Sequence, residues 1–344
     1  MDFSMYAFRS IGLAFAVIAA AMSLSDSALA QTAIRFLLDT KLEGPAAPLF
    51  VAIDKGYFKA EGLDVTIDPA ESNLDPLKRV AAGDFDIGLG DFTALMKFLD
   101  AKPASAVRAV FMFTNRPAFA VISRKSRGVE KPKDLEDKTL GAPPGDASFA
   151  AWPIFAQANG IDPGKVKIEN ISVPVREPML QNGQVDAVTG RSYSAFINLK
   201  AMGVPSADLV LMLMADYGVN LYGDAVLVNT KFASEKPDAV KGFLRALAKA
   251  MRDTVKNPAA AVESVIKRSD ALQKAIELER LEMAIRQGFL TPEVKANGYG
   301  AVDPDRLGQS IEQIGQSFAF KNKAKAAEAF DGGFLPPAAD RKAN

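Results

Sequence analysis

Carboxylates, hydroxyls, arginines and aromatic rings recur just after short apolar runs, with no histidine or cysteine among the 344 residues. Asp39 and Glu43 follow the run 34–38, and Glu71, Ser72 and Asn73 follow 65–67. Asp91 follows 86–89, and Asn115 and Arg116 follow 108–113. Further on come Asp146 and Trp152, then Thr189, Arg191 and Tyr193, then Asp216, Tyr217 and Tyr222. Ionised carboxylates accept strong hydrogen bonds from amino groups, and aromatic faces stack on flat rings. The two arginines either bind an anion or pair with carboxylates. Each carboxylate also has a plainer reading as a helix cap or surface charge, and Trp152 as a core plug beside Pro153. These residues suit reversible capture of a small molecule.

Catalysis finds less support. Without histidine or cysteine, Ser-His-Asp and Cys-His mechanisms are impossible, as are zinc sites of the usual ligand type. There is no Walker A motif, and Gly88-Leu89-Gly90 and Gly298-Tyr299-Gly300 each lack the third glycine of a dinucleotide fingerprint. The expectation is a protein that is not an enzyme, with no cofactor and no metal. An enzyme working through carboxylates alone is the rival from another class, and turnover of a bound ligand would discriminate the two.

The elements that must position these residues alternate. Strand-like runs at 34–38, 65–67, 86–89, 108–113, 118–123, 139–142, 166–171, 186–188, 209–214 and 225–228 are separated by helix-like stretches at 48–57, 75–82, 92–99, 146–159, 177–182 and 194–202. That pattern predicts an α/β fold with mostly parallel sheets flanked by helices. In such sheets ligands bind beyond the carboxyl ends of the strands, where the candidate residues cluster. After Val228 the chain reads as a helical C-terminal region over 237–256, 258–268, 272–287 and 304–318, with Pro237 and Pro304 suited to first turns. No internal repeat is evident. The runs 118–123 and 225–228 read as crossings between two lobes, one made of 31–119 plus 226–344 and the other of 120–225. Two crossings make a hinge.

Composition bounds the setting. Hydrophobic residues are 49% and charged residues 24%, as in a soluble globular chain. The apolar run 11–22 followed by Ala28-Leu29-Ala30 predicts a signal peptide cleaved after Ala30. The remainder holds 40 basic and 39 acidic residues. That balance, with no basic stripe, argues against a nucleic-acid partner. A chain without cysteine has no lipid anchor at the cleavage site, so the expected location is the periplasm.

Five segments carry a resemblance: "APLFVAIDKGYFKAEGLDVTI" (47–67), "RVAAGDFDIGLGD" (79–91), "KPKDLEDKTLGAP" (131–143), "ANGIDPGKVKIENI" (158–171) and "MLQNGQVDAVTG" (179–190). Across nearly all of the mature chain the sequence resembles the nitrate/sulfonate/taurine and thiamine-pyrimidine-precursor group of periplasmic binding proteins. The resemblance implies a two-lobed type II, Venus-flytrap fold. It also implies a solute-binding component that delivers a ligand to an ABC permease and its ATPase. Such a protein would be a monomer, touching the membrane only through the permease. Some eukaryotic relatives make the thiamine pyrimidine with histidine and iron, chemistry this chain lacks. A sensor subunit reporting to a membrane receptor is a further alternative.

The ligand-binding set expected here is Asp39, Glu43, Glu71, Ser72, Asp91, Arg116, Asp146, Trp152, Thr189, Arg191, Tyr193, Asp216 and Tyr222. Asp146 sits at a predicted helix start, where it would cap the N–H groups that an anion binder leaves free. Acids beside aromatics favour a flat amino-bearing heterocycle, such as a thiamine pyrimidine precursor. A sulfonate, taurine or nitrate ligand is the alternative.

Overall fold

Burial separates central strands from edge strands. The strands Ile87–Asp91 and Asp224–Asn229 are buried along their whole length, whereas Leu63–Asp68 is exposed at every second position and fully buried only at Leu63, as expected for interior strands and an edge. The structure, a computed structural model, describes residues 31–39, 42–72, 74–322 and 326–343. The expected leader and Asn73 lie outside the described residues. The strands are β1 (Thr32–Leu37), β2 (Leu63–Asp68), β3 (Ile87–Asp91), β4 (Val107–Met112), β5 (Phe119–Arg124), β6 (Thr139–Ala142), β7 (Lys167–Asn170), β8 (Ala187–Arg191), β9 (Leu209–Leu213) and β10 (Asp224–Asn229).

Two five-stranded sheets result, ordered β2-β1-β3-β10-β4 and β7-β6-β8-β5-β9. In the first, β1 runs parallel to β2 and β3, and β10 is antiparallel to β3 and β4. In the second, β6 is parallel to β7 and β8, and β5 is antiparallel to β8 and β9. Each sheet is therefore mostly parallel with one reversed strand, and both have the same plan. Segments 118–123 and 225–228, read above as crossings, lie almost wholly within β5 and β10. The chain passes between the sheets just before them, over 113–118 and 214–223.

The shared plan corrects the expectation of no internal repeat. The segments 83–91 and 183–191 are equivalent at an offset of one hundred residues. Gly83 and Gly183 each close a helix in the left-handed conformation, at φ 84° and 73°, which glycine adopts without strain. Asp86 and Asp186 each accept a backbone N–H from the neighbouring strand, from Arg35 at 2.8 Å and from Thr139 at 2.9 Å. Only Gly and Asp recur, so the repeat is hard to see in the letters. It ends on opposite charges, Asp91 and Arg191.

The C-terminal region is helical as predicted. The helix Pro237–Lys256 buries Val240, Phe243, Leu244, Leu247 and Met251, a 3–4 spacing that makes one apolar face. Phe243 stacks on Phe36 and Phe58, with centroids 5.6 and 4.8 Å away. A short helix, Pro292–Asn297, was not anticipated. The expected helix 146–159 is broken into Ala147–Ala150 and Trp152–Ala158, because Pro153 has no N–H to continue the ladder. Among the described residues no helix is long and apolar enough to cross a membrane.

Candidate functional site

Both sheets deliver polar side chains from their carboxyl ends into one region, as open α/β topology requires. Asp39 follows β1, Asp224 opens β10 and Arg191 closes β8. The Arg191 guanidinium lies between the two acids, donating to Asp39 Oδ2 at 2.6 Å and to Asp224 Oδ2 at 2.5 Å. It also donates to the Tyr193 hydroxyl at 3.0 Å. All four residues are at least nearly buried. Burial works against the charge on Arg191, but Asp224, Tyr193 and Asp39 together hold its pKa well above the usual arginine value. Burial pushes Asp39 up to about 6, although Arg191 pulls it down. So Arg191 pairs with carboxylates of the other sheet, the second of its two readings. Arg116 also pairs with a carboxylate, donating to Asp216 Oδ1 at 2.5 Å, both residues lying in the segments that pass between the sheets.

A second set of contacts joins the same two halves. The turn Ser192–Phe196 after β8 is a π-helical turn, and it brings two hydroxyls to the first half. Ser194 donates to Glu43 at 2.7 Å, and Ser192 to Gln287. Arg280 donates to Glu43 at 3.1 Å, Glu277 at 2.9 Å and Asn198 at 2.5 Å. A cavity of about 30 Å³ lies here, lined by Asp39, Glu43, Leu89, Phe113, Tyr193 and Asp224 among others. That is room for about one water molecule.

A larger chamber of about 360 Å³ opens between two helix starts, one from each half. One side is Asp91, Thr93, Ala94, Lys97 and Phe98, with Leu74, Leu77 and Lys78; the other is 145–147, Phe149 and Ala150. Asp91 caps its helix through Ala94 N–H at 2.7 Å. Asp146 caps the opposite helix as expected, accepting from Ser148 N–H at 2.8 Å and Phe149 N–H at 3.2 Å. Burial, reinforced by the nearby Asp224 charge, pushes Asp91 up to about 7.

Four buried side-chain atoms around this region have no hydrogen-bond partner: Asp91 Oδ2, Thr93 Oγ1, Ser148 Oγ and Thr189 Oγ1. An unmade hydrogen bond at a buried polar group costs ~1–3 kcal/mol, and two of the four, on Asp91 and Thr93, belong to residues that line the chamber. Thr189 and Arg191 share a face of β8 with Ala187, by the two-residue period of a strand. Ala187 packs in the same cluster as Ala147, Ala151 and Trp152.

The other expected residues are elsewhere. Trp152 is 5% exposed and packs on Phe155 inside the core, and it lines neither the chamber nor the small cavity. That packing supports the core-plug reading. Tyr222 is also buried away from the chamber; its hydroxyl donates to Glu293 at 2.7 Å and Arg306 lies over its ring. Tyr193 reaches only the small cavity. Glu71 and Ser72 are exposed, and Ser72 is engaged with Asp75 at 2.9 Å. The rings that do line the chamber, Phe98 and Phe149, were missed. Counting from each capping acid would have found them: Phe149 is three residues after Asp146, and Phe98 is seven after Asp91, two turns along the same face. Asp224 was missed because it begins a strand. Among the described residues no group of three or more acidic side chains is placed to hold a metal.

The sequence profile described as "NMT1/THI5 like" matches residues 45–261, more than half of the chain. The chain belongs to the NMT1/THI5-like family. Over 235 residues it is 26% identical to 4-amino-5-hydroxymethyl-2-methylpyrimidine phosphate synthase of Schizosaccharomyces pombe. That match covers 65% of this chain and 66% of the synthase, just under two thirds of its length. Over 298 residues it is 26% identical to the formylaminopyrimidine-binding protein of Halalkalibacterium halodurans, covering 82% and 87% of the two chains. Among solved structures, the periplasmic aliphatic sulphonate binding protein SsuA from Escherichia coli aligns with a TM-score of 0.68 at 12% identity, over 86% of this chain and 94% of that one. The fold of this family member is that of the periplasmic binding proteins, as its sequence resemblance implied.

Proposed function

We propose that this chain is the non-catalytic solute-binding component of an ABC import system, and that it captures a small flat ligand bearing amino groups. The observation that carries this reading is the set of four unpartnered buried atoms at Asp91, Thr93, Ser148 and Thr189. A ligand with several hydrogen-bonding groups would satisfy them on binding. The chamber beside them has Phe98 and Phe149 to cover a ring and Asp91 to accept from an amino group. An aminopyrimidine thiamine precursor fits that description, and two relatives carry pyrimidine names. The alternative, a sulphonate, taurine or nitrate binder, draws on Lys78 and Lys97 at the same chamber. Against it, Asp146 already occupies the N–H groups that an oxyanion would use, and Asp91 adds negative charge as it ionises near pH 7.

In this reading the lobes are 31–119 with 226–344, and 120–225, hinged through 113–118 and 214–223. The Arg191, Glu43–Ser194 and Arg280–Asn198 contacts hold them closed. The protein binds rather than synthesises: the S. pombe relative is named a synthase, but this chain has no histidine to do acid–base or metal-ligand work. Its setting would be the periplasm, after cleavage behind Ala30, with the permease and its ATPase as partners. Native mass spectrometry of protein purified from its own cells tests this. The expected result is an amino-bearing heteroaromatic molecule, recovered chemically unchanged after incubation. A sulphonate, or a ligand converted to product, would refute the reading.

A further inference from the structure

An ion pair is buried inside the second half, on the helix Val173–Asn182, and lines neither the chamber nor the small cavity. Its members, Arg176 and Glu177, are 4% and 5% exposed. Consecutive helix residues do not normally face each other. Here Arg176 turns its guanidinium back on Glu177, with Nε and Nη2 donating to Glu177 Oε1 at 3.1 and 2.6 Å. The neighbouring strand leaves room for this: a Cβ on Gly190 would lie 2.8 Å from Arg176 Nη1 and 3.0 Å from its Cζ. Both charges lose their water, so a buried pair adds little stability over apolar residues of the same size. What the pair does provide is an acceptor held in a fixed place.

That acceptor meets Asn198. Asn198 Nδ2 donates to Glu177 Oε1 at 3.3 Å, and Asn198 Oδ1 accepts from Arg280 Nη2 of the first half at 2.5 Å. A side-chain amide has one accepting end, and Glu177 keeps that end turned towards Arg280. Flipped over, Asn198 would aim its N–H groups at a guanidinium, which accepts nothing. Arg280 is fixed on its own side: Nη1 donates to Glu277 at 2.9 Å, and Glu277 accepts the Gly44 N–H at 2.6 Å. We propose that Glu177 is a positioning residue for closure, an inference that rests on the hinged-lobe reading above. It holds Asn198 in the one orientation that receives Arg280, and Arg176 holds Glu177. Each half then carries its part of the latch already assembled, and closing joins the two.

The test replaces the pair with apolar residues, Arg176→Met together with Glu177→Met. It measures the radius of gyration of the unliganded protein by small-angle scattering alongside the melting temperature. The expected result is a larger radius with a melting temperature no lower than that of the wild type, because neither charge is left without its partner. Glu177→Gln, which keeps an accepting oxygen for Asn198, should stay as compact as the wild type. Adding Asn198→Leu to the double variant should open it no further, since residues of one network are not additive. A double variant as compact as the wild type, or one that opens only in step with lost stability, would overturn the proposal. Ser194→Ala, which removes the other latch contact, separates this from failure of the closure reading. If Ser194→Ala opens the protein and the double variant does not, only the role of Glu177 falls. No change of radius in either would remove the closure reading and this inference with it.

Discussion

Asp91 shows how a single side chain links stability to recognition. Its carboxyl is buried, caps a helix through one oxygen and leaves the other unpaired. Its folded pKa, about 7, lies above the ordinary value near 3.8, so between those limits the folded state binds more protons than the unfolded one. Stability from this group is therefore greatest below about pH 4 and falls as pH rises through 7. Asp91→Asn keeps the capping oxygen and removes the titration. The melting temperature of the wild type minus that of Asp91→Asn should decline steadily from pH 5 to pH 8, and a flat difference would contradict the assignment. In the ligand-binding assay the same variant should lose at least tenfold in affinity, because the amide loses the charge-assisted acceptor. Trp152→Ala should behave in the opposite way. Removing a buried tryptophan costs ~3–5 kcal/mol, so its melting temperature should fall by many degrees while ligand affinity stays near that of the wild type. Loss of affinity without loss of stability would restore the stacking role that Trp152 was expected to have.

At the level of elements, the turn Ser192–Phe196 carries much of the closure proposed above. It places Ser194 on Glu43 and Ser192 on Gln287, each pair joining the two halves. Ser194→Ala should leave the unliganded protein more open, read as an increased radius of gyration in small-angle scattering, and should raise the ligand off-rate more than it lowers the on-rate. An unchanged radius with an unchanged off-rate would remove this turn from the closure mechanism. The turn also marks the limit of what the sequence makes legible. Alternating apolar runs and glycine-closed helices made the two α/β halves readable, along with the helical C-terminal region, because local pattern is enough to specify them. Asp146 was legible as a cap for the same reason. Which acids meet which arginines was not, since Asp39 and Arg191 are joined by folding across 152 positions. Trp152, Tyr193 and Tyr222 lie near the expected strand ends, but rotation about the local axis decides whether a ring faces the cleft or the core. The repeat between 83–91 and 183–191 was hidden because its ends carry opposite charges, Asp91 and Arg191, now in neighbouring positions around the site.

For the whole molecule, the proposed function links export, closure and recognition. Protein recovered from the periplasm should begin at Gln31 on N-terminal sequencing, and a soluble cytoplasmic form that retains Met1 would count against export. Closure and recognition meet at the chamber of about 360 Å³ between the two helix starts. A ligand that binds only the folded protein stabilises it by about 2.7 kcal/mol at a hundredfold excess over its dissociation constant, enough to shift melting by several degrees. The most direct measurement is a thermal-shift panel on wild type and Asp91→Asn with aminopyrimidines, taurine, alkanesulfonates and nitrate. The expected result is a clear shift for an aminopyrimidine that is lost or much reduced in Asp91→Asn. A shift with taurine, an alkanesulfonate or nitrate, and none with any aminopyrimidine, would contradict it.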